Sequence, residues 1–133
     1  MPTNEIDDKH WDEPADDAPV GAPVLDGYAH PGFSWLDRIG CQEHDLGEFF
    51  ANAGHVLSEE ARAACMPCPV WRECLIFSYM GTPDGKPITG GYFAALSPGQ
   101  RKKLSLGEAI ALGEKLRADW RARMARRSRT RRK

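Results

Sequence analysis

From residue 33 onward the apolar positions of this chain fall into a helical rhythm, and before it they do not. Phe33, Trp35, Leu36 and Ile39 recur at roughly helical spacing ahead of Cys41, and Leu46, Phe49 and Phe50 outline a short apolar helix or turn. Ser58 followed by Glu59 and Glu60 reads as an N-cap with acids in the first turn, opening a helix that runs to about Ala64 and delivers Cys65. Pro69 suits the first turn of the next helix, about 69–79, with Val70, Cys74, Ile76, Phe77 and Met80 along it and Cys74 on its inner face. A loop rich in Gly, Pro and Asp follows, "GTPDGKPITGG", and then the segment "GYFAA". Ser97-Pro98-Gly99-Gln100 has the form of a capping box with Pro at the first helical position, and Ser105 with Glu108 has the same form. The second box starts a longer helix with Leu106, Ile110, Leu116, Trp120 and Met124 on or near one face, while the tail beyond Met124 is expected to be helical only near its start. No segment alternates as a half-buried strand does, and no repeat is visible, so the expected class is all-α with loops.

Charge divides the chain more sharply than its overall balance of −1. Residues 1–64 hold 14 acids and 3 bases, and residues 65–133 hold 5 acids and 15 bases. Residues 1–30 carry eight acids and one lysine with few large apolar side chains, the composition of a segment that cannot bury enough surface to order itself. A disordered acidic arm is therefore expected over 1–32. At the other end, Arg121, Arg123, Arg126, Arg127, Arg129, Arg131, Arg132 and Lys133 form a cationic block. Such a block binds phosphate backbones by releasing counterions. It lacks an Arg-Gly-Arg core for minor-groove reading, so base specificity is not expected of it. The competing expectations are a solvated tail, or one that folds back on the acidic arm. The N-terminus shows no secretory signal and no run reaches transmembrane length, which points to a cytoplasmic protein without a membrane partner.

The four cysteines carry the candidate chemistry. Cys65 and Cys68 form a CxxC pair, Cys74 follows after five residues, and Cys41 stands alone upstream. In a reducing compartment such a set means metal or redox chemistry more often than structural disulfides. Four thiolates can enclose one centre. Zinc usually takes two close pairs, whereas one pair and two singles suit the wider shell of an iron–sulfur cluster. A zinc-stabilised adaptor and a thiol–disulfide reductase using Cys65 and Cys68 remain the alternatives at this point. His10 and His30 fall in the acidic arm, and His44 and His55 are weaker ligand candidates than the thiols. No Ser/His/Asp set, phosphate loop or paired acids points to hydrolysis or phosphoryl transfer, so neither an enzyme nor a small-molecule substrate is expected.

The order of these motifs resembles the WhiB-like (Wbl) family of actinobacteria and their phages. The resemblance rests on Cys41 with "EFF" shortly after it, Cys65-x2-Cys68-x5-Cys74, the turn "GYFAALS" at residues 91–97 and the basic C-terminus, and it spans roughly residues 33–133. It implies a small bundle of short helices wrapped around one [4Fe-4S] cluster per chain, ligated by Cys41, Cys65, Cys68 and Cys74. The implied division is an arm over 1–32, a cluster-binding domain over 33–96, C-terminal helices over 97–125 and a basic tail over 126–133. It further implies a transcription regulator responsive to redox or nitric oxide, whose thiols form disulfides after cluster loss. The implied partners are the C-terminal domain of the principal sigma factor and promoter DNA. The family turn is Gly-[Val/Ile]-Trp-Gly-Gly, and this chain has Gly91, Tyr92, Phe93, Ala94 and Ala95 in its place. Phe93 stands where the family's sigma-facing tryptophan stands, keeping an aromatic face without the indole N–H. Ala94 and Ala95 remove easy access to positive φ, so a reshaped turn is expected. Tyr92 and Phe93 are otherwise core residues capping the cluster. Trp35 and Trp71 are expected to shield it or to reach the sigma interface.

Overall fold

A computed structural model describes residues 11, 13–22, 24–40, 57–81, 87–88 and 90–131, with side chains as far as Arg129. Cys41, the Leu46–Phe50 segment, His10, His44, His55, Arg132 and Lys133 lie outside the described residues, as does the Arg131 side chain. The elements in order are a 3-10 helix Ser34–Arg38, α1 Glu59–Cys65, α2 Trp71–Met80, α3 Pro98–Lys103 and α4 Leu106–Arg131. Among the described residues there is no strand, only isolated bridges between Leu25 and Tyr28 and between Phe93 and Leu96.

Local chemistry sets the helix starts. The Ser58 hydroxyl accepts from the Ala61 N–H and opens α1. Both expected capping boxes form: Ser97 with Gln100 at α3, and Ser105 with Glu108 at α4, where the two bonds measure 2.9 and 3.1 Å. Each box satisfies two backbone donors that a helix start leaves without partners. The start of α2 differs from the sequence expectation. Pro69 stays in the turn, and Val70 takes the N-cap position without a side-chain cap.

Two apolar clusters form the core. The larger joins Trp71, Leu75, Ile76 and Met80 of α2 to Leu106, Ala109 and Ile110 of α4, with Ala94 and Leu96 between them. The smaller gathers Leu57, Ala61, Cys65, Met66 and Ala95, and Leu116 of α4 packs against both. Packing of α4 across α2 and α3 therefore organises the domain. Helix α4 also continues through Arg131, farther than the tail composition implies. Arginine is a good helix former, and positive side chains near a helix C-terminus complement its dipole.

The second half of the acidic arm requires a correction. Residues 11, 13–22 and 24–33 pack as a strap rather than as disordered chain: the Ala29 N–H donates to the Trp11 carbonyl, and the Ala15 N–H to the His30 carbonyl. The carboxylate of Asp17 accepts from the Phe33 N–H at 2.9 Å, and that of Asp26 from the Gly107 N–H at 3.0 Å in the first turn of α4. His30 is 1 % exposed and sits among Phe33 and Phe77 at ring-centroid distances of 5.5 and 5.6 Å. Its Nδ1 accepts from the Gly32 N–H, and burial pushes its pKa down, partly opposed by Asp17. The burial and the accepted hydrogen bond both hold the ring neutral. The physical reason for the difference is specific: two acids that composition counts only as charge act as backbone acceptors, one of them at a helix N-terminus.

Candidate metal centre

The CxxC pair is built from a helix end and a proline turn. Cys65 closes α1 and is buried, and its carbonyl accepts from the Cys68 N–H at 3.2 Å. Pro67 and Pro69 flank Cys68, which is half-buried. One turn into α2, the Cys74 N–H bonds the Val70 carbonyl at 3.0 Å. Cys74 is half-buried rather than on the fully buried inner face of the helix. All three thiols are free of disulfides. Gly40, the covalent neighbour of Cys41, brings its N–H to 3.3 Å from the Cys68 sulfur. The upstream chain thus reaches the pair one residue before the fourth cysteine. Among the described residues no three Cys, His, Asp or Glu side chains form a group fit for a metal ion.

A buried guanidinium lies against this set. Arg117 of α4 is 2 % exposed. Its Nη atoms donate to the carbonyls of Gly113 at 3.2 Å, Cys65 at 3.1 Å and Ala94 at 3.2 Å, and its Cζ lies 4.3 Å from the centre of the Trp71 ring. Burial pushes its pKa down to about 10, while Cys65, Cys68 and Cys74 pull it back up and Arg72 pushes it down. Its Nε finds no hydrogen-bond partner among the described residues. A buried cation held by carbonyls calls for an anion, and thiolates would supply it. The donor set therefore fits a thiolate-ligated centre. A cleft of about 600 Å³ opens beside it, with Cys68, Trp71 and Trp120 in its wall and Arg38, Arg72 and Arg121 around it.

The turn at Phe93–Leu96 is a two-residue hairpin with mutual backbone bonds of 3.1 and 2.9 Å. Ala94 and Ala95 occupy φ of 54° and 69°, so both adopt the left-handed conformation that alanine is expected to avoid. A non-glycine residue there costs roughly 1–2 kcal/mol. Their methyl groups lie one in each core cluster, and burying a methyl group offsets about 0.8 kcal/mol. Gly91 keeps a φ of 76°. Arg101, itself buried, donates to the carbonyls of Ile88, Gly90 and Gly91, and its Cζ lies 4.9 Å from the Phe93 ring centre. Burial lowers the Arg101 pKa, against Tyr79 and Cys74, which raise it. Tyr92 and Phe93 are half-buried, leaving part of each ring to solvent.

Trp35 and Trp71 are both buried. The Trp35 Nε1 donates to the Gly32 carbonyl at 2.7 Å and its ring meets Phe77 at 5.5 Å, while Trp71 stands between α2 and Arg117. Arg121, Arg123, Arg126, Arg127 and Arg129 are exposed on the distal part of α4. They spread over roughly 240° of its circumference at about 100° per residue. Neither Arg117 nor Arg101 was singled out by sequence reasoning. A signal existed for Arg117, because it extends the inner stripe of Leu106, Ile110 and Gly113 at helical spacing.

Among the described residues no helix is long and apolar enough to cross a membrane. A search among curated proteins finds no match for this chain, and none is found among solved structures. The family model described as Transcription factor WhiB matches residues 35–104, just over half of the chain and including all four cysteines and the whole 91–96 turn. With the CxxC segment and the hairpin turn tied to one buried arginine through the Cys65 and Ala94 carbonyls, and with the family model matching over residues 35–104, this chain belongs to the WhiB family of transcription factors.

Proposed function

We propose that Cys41, Cys65, Cys68 and Cys74 hold one [4Fe-4S] cluster per chain, and that the domain so organised acts through the C-terminal domain of the principal sigma factor. The observation that carries this reading is the junction at Arg117, where the CxxC carbonyl of Cys65 and the turn carbonyl of Ala94 share one guanidinium. When bound, the cluster would supply iron that reacts with oxidants and nitric oxide. The chain's own part is to hold the thiols, exclude water with Trp35 and Trp71, and fix the turn that presents Phe93. An exposed aromatic edge on a rigid turn is the kind of anchor that dominates a small interface. The test is anaerobic co-purification of the chain with the sigma domain, with metal analysis of the product. Four irons per chain and a retained sigma domain are expected. One zinc per chain in a colourless protein would refute the cluster. Phe93→Ala should abolish retention of the sigma domain with the iron content unchanged, and an undiminished complex would refute the turn as the contact.

The distal part of α4 is proposed to meet promoter DNA. Its arginines surround the helix rather than lining one face, which suits contact with phosphates more than reading of base edges. Truncation after Trp120 should weaken DNA binding and flatten the dependence of log K on log salt by about 0.7–0.9 for each phosphate that the shortened helix no longer neutralises. An unchanged salt slope in a titration series would place the DNA-binding surface elsewhere.

A further inference from the structure

We propose that Arg117 is a positioning residue that ties the turn to the thiol set and supplies the positive charge that balances the thiolates. The inference rests on the four-thiolate reading above for its charge role, though not for its link to the turn. Three chain segments far apart in sequence meet at this one side chain: α4 at Gly113, the end of α1 at Cys65, and the hairpin at Ala94. Cys65 is bonded to it through its carbonyl at 3.1 Å, Cys68 lines the same cleft, and among the described residues no ion pair joins it to a carboxylate.

Its geometry explains why an arginine fits. A guanidinium offers several donors in one rigid plane, so it can bond separate carbonyls while a face stacks on an aromatic ring. The Trp71 ring supplies that stack and leads by the backbone of α2 to Cys74. Lysine could keep the charge but would not hold the same set of carbonyls in the same planar geometry. Methionine could fill much of the space but would remove both charge and donors. These two substitutions therefore separate the link to the turn from the balancing charge.

The charge role has a direction. One-electron reduction of a thiolate-ligated cluster adds negative charge, and a nearby buried cation favours the reduced state. Removing the cation should make reduction harder. The link to the turn has its own readout, because the Phe93 and Leu96 amides close the hairpin that Ala94 belongs to.

The experiment compares the full chain with Arg117→Met and Arg117→Lys. In the reduced, metal-free chain, amide hydrogen exchange at Phe93 and Leu96 should accelerate at least tenfold in both variants, with exchange in Leu106–Ile110 unchanged. In the iron-loaded chain, Arg117→Met should lower the midpoint potential by a tenfold change in the reduction equilibrium, about 59 mV for one electron. Arg117→Lys should restore most of that shift. Unchanged exchange at Phe93 and Leu96 overturns the link to the turn. A Met variant with the parental potential, or a Lys variant as low as Met, overturns the balancing charge. A parent chain that takes up no iron fails the four-thiolate reading and its charge role, while the exchange comparison still decides the link to the turn.

Discussion

Replacing Gly113 with alanine is expected to destabilise the fold by about 2 kcal/mol, against the trend of helix propensity. In an exposed helix interior the same change stabilises by about 1 kcal/mol, because glycine has more backbone freedom to lose. Here the added Cβ would overlap Trp71 Cζ3 and stand 3.1 and 3.2 Å from Cη2 and Cε3. The indole has little room to give. Its ring is covered by Arg117 at 4.3 Å and Arg72 at 4.8 Å, and it belongs to the larger core cluster. Helix α4 would have to move off α2, straining the bonds from Arg117 to the Cys65 and Ala94 carbonyls as it did so. Overpacking of this kind typically costs about 1–3 kcal/mol, and in a chain of this size the melting temperature should drop by roughly 10 °C. Gly107→Ala is the contrasting case on the same helix. Its Cβ would meet only Asp26, at 3.8 Å or more, so the change should be neutral or slightly stabilising. Thermal melts of the two variants should therefore shift in opposite directions or by clearly unequal amounts. Equal shifts would mean that Trp71 does not dictate the glycine.

If the four cysteines hold the proposed cluster, Gly40→Ala is expected to remove most of its iron while leaving the helices intact. An added Cβ would lie 2.6 Å from the Ala64 carbonyl oxygen and 3.3 Å from the Cys68 Cβ. That carbonyl belongs to the last turn of α1, so it cannot yield without moving Cys65. The chain at residue 40 would back away instead, giving up its N–H bond to the Cys68 sulfur. Cys41 is covalently bound to the displaced residue and would be drawn from the pair. Iron analysis of anaerobically reconstituted protein should fall from four per chain to below half of that, with far-ultraviolet circular dichroism within a few per cent of the parent. Full iron loading in the variant would show that the close approach of Gly40 to Cys68 is not needed to bring in the fourth thiol.

What could be read from the sequence was mostly local. The two capping boxes were legible because each needs only residues three apart. The Ser58 cap and the apolar stripe of α4 were legible for the same reason, and the motif order pointed to the family that the comparison establishes. The strap was not legible. Its hydrogen bonds join Asp17 to Phe33 and Asp26 to Gly107, the latter across 81 positions, and composition registers those acids only as charge. The left-handed alanines were misjudged for a related reason. Propensity counts the backbone strain at Ala94 and Ala95 but not the core sites that their methyl groups occupy. Arg117 was hidden among the cations of the basic end, and only its position on the inner stripe sets it apart.

The continuity of α4 gives the basic end a defined bearing. The helix runs unbroken from the core to Arg131, so every distal arginine has a fixed angular phase relative to Arg117. Arg129 stands about 18 Å along the axis from Arg117 at 1.5 Å per residue. That length equals roughly five base-pair steps of a duplex. The arginines therefore act as the marked end of a rigid lever rather than as a floating charge, and the register between the thiol centre and any bound phosphate is set by residue count. One residue inserted between Arg117 and Arg121 would swing the cationic end by about 100° while leaving its composition unchanged.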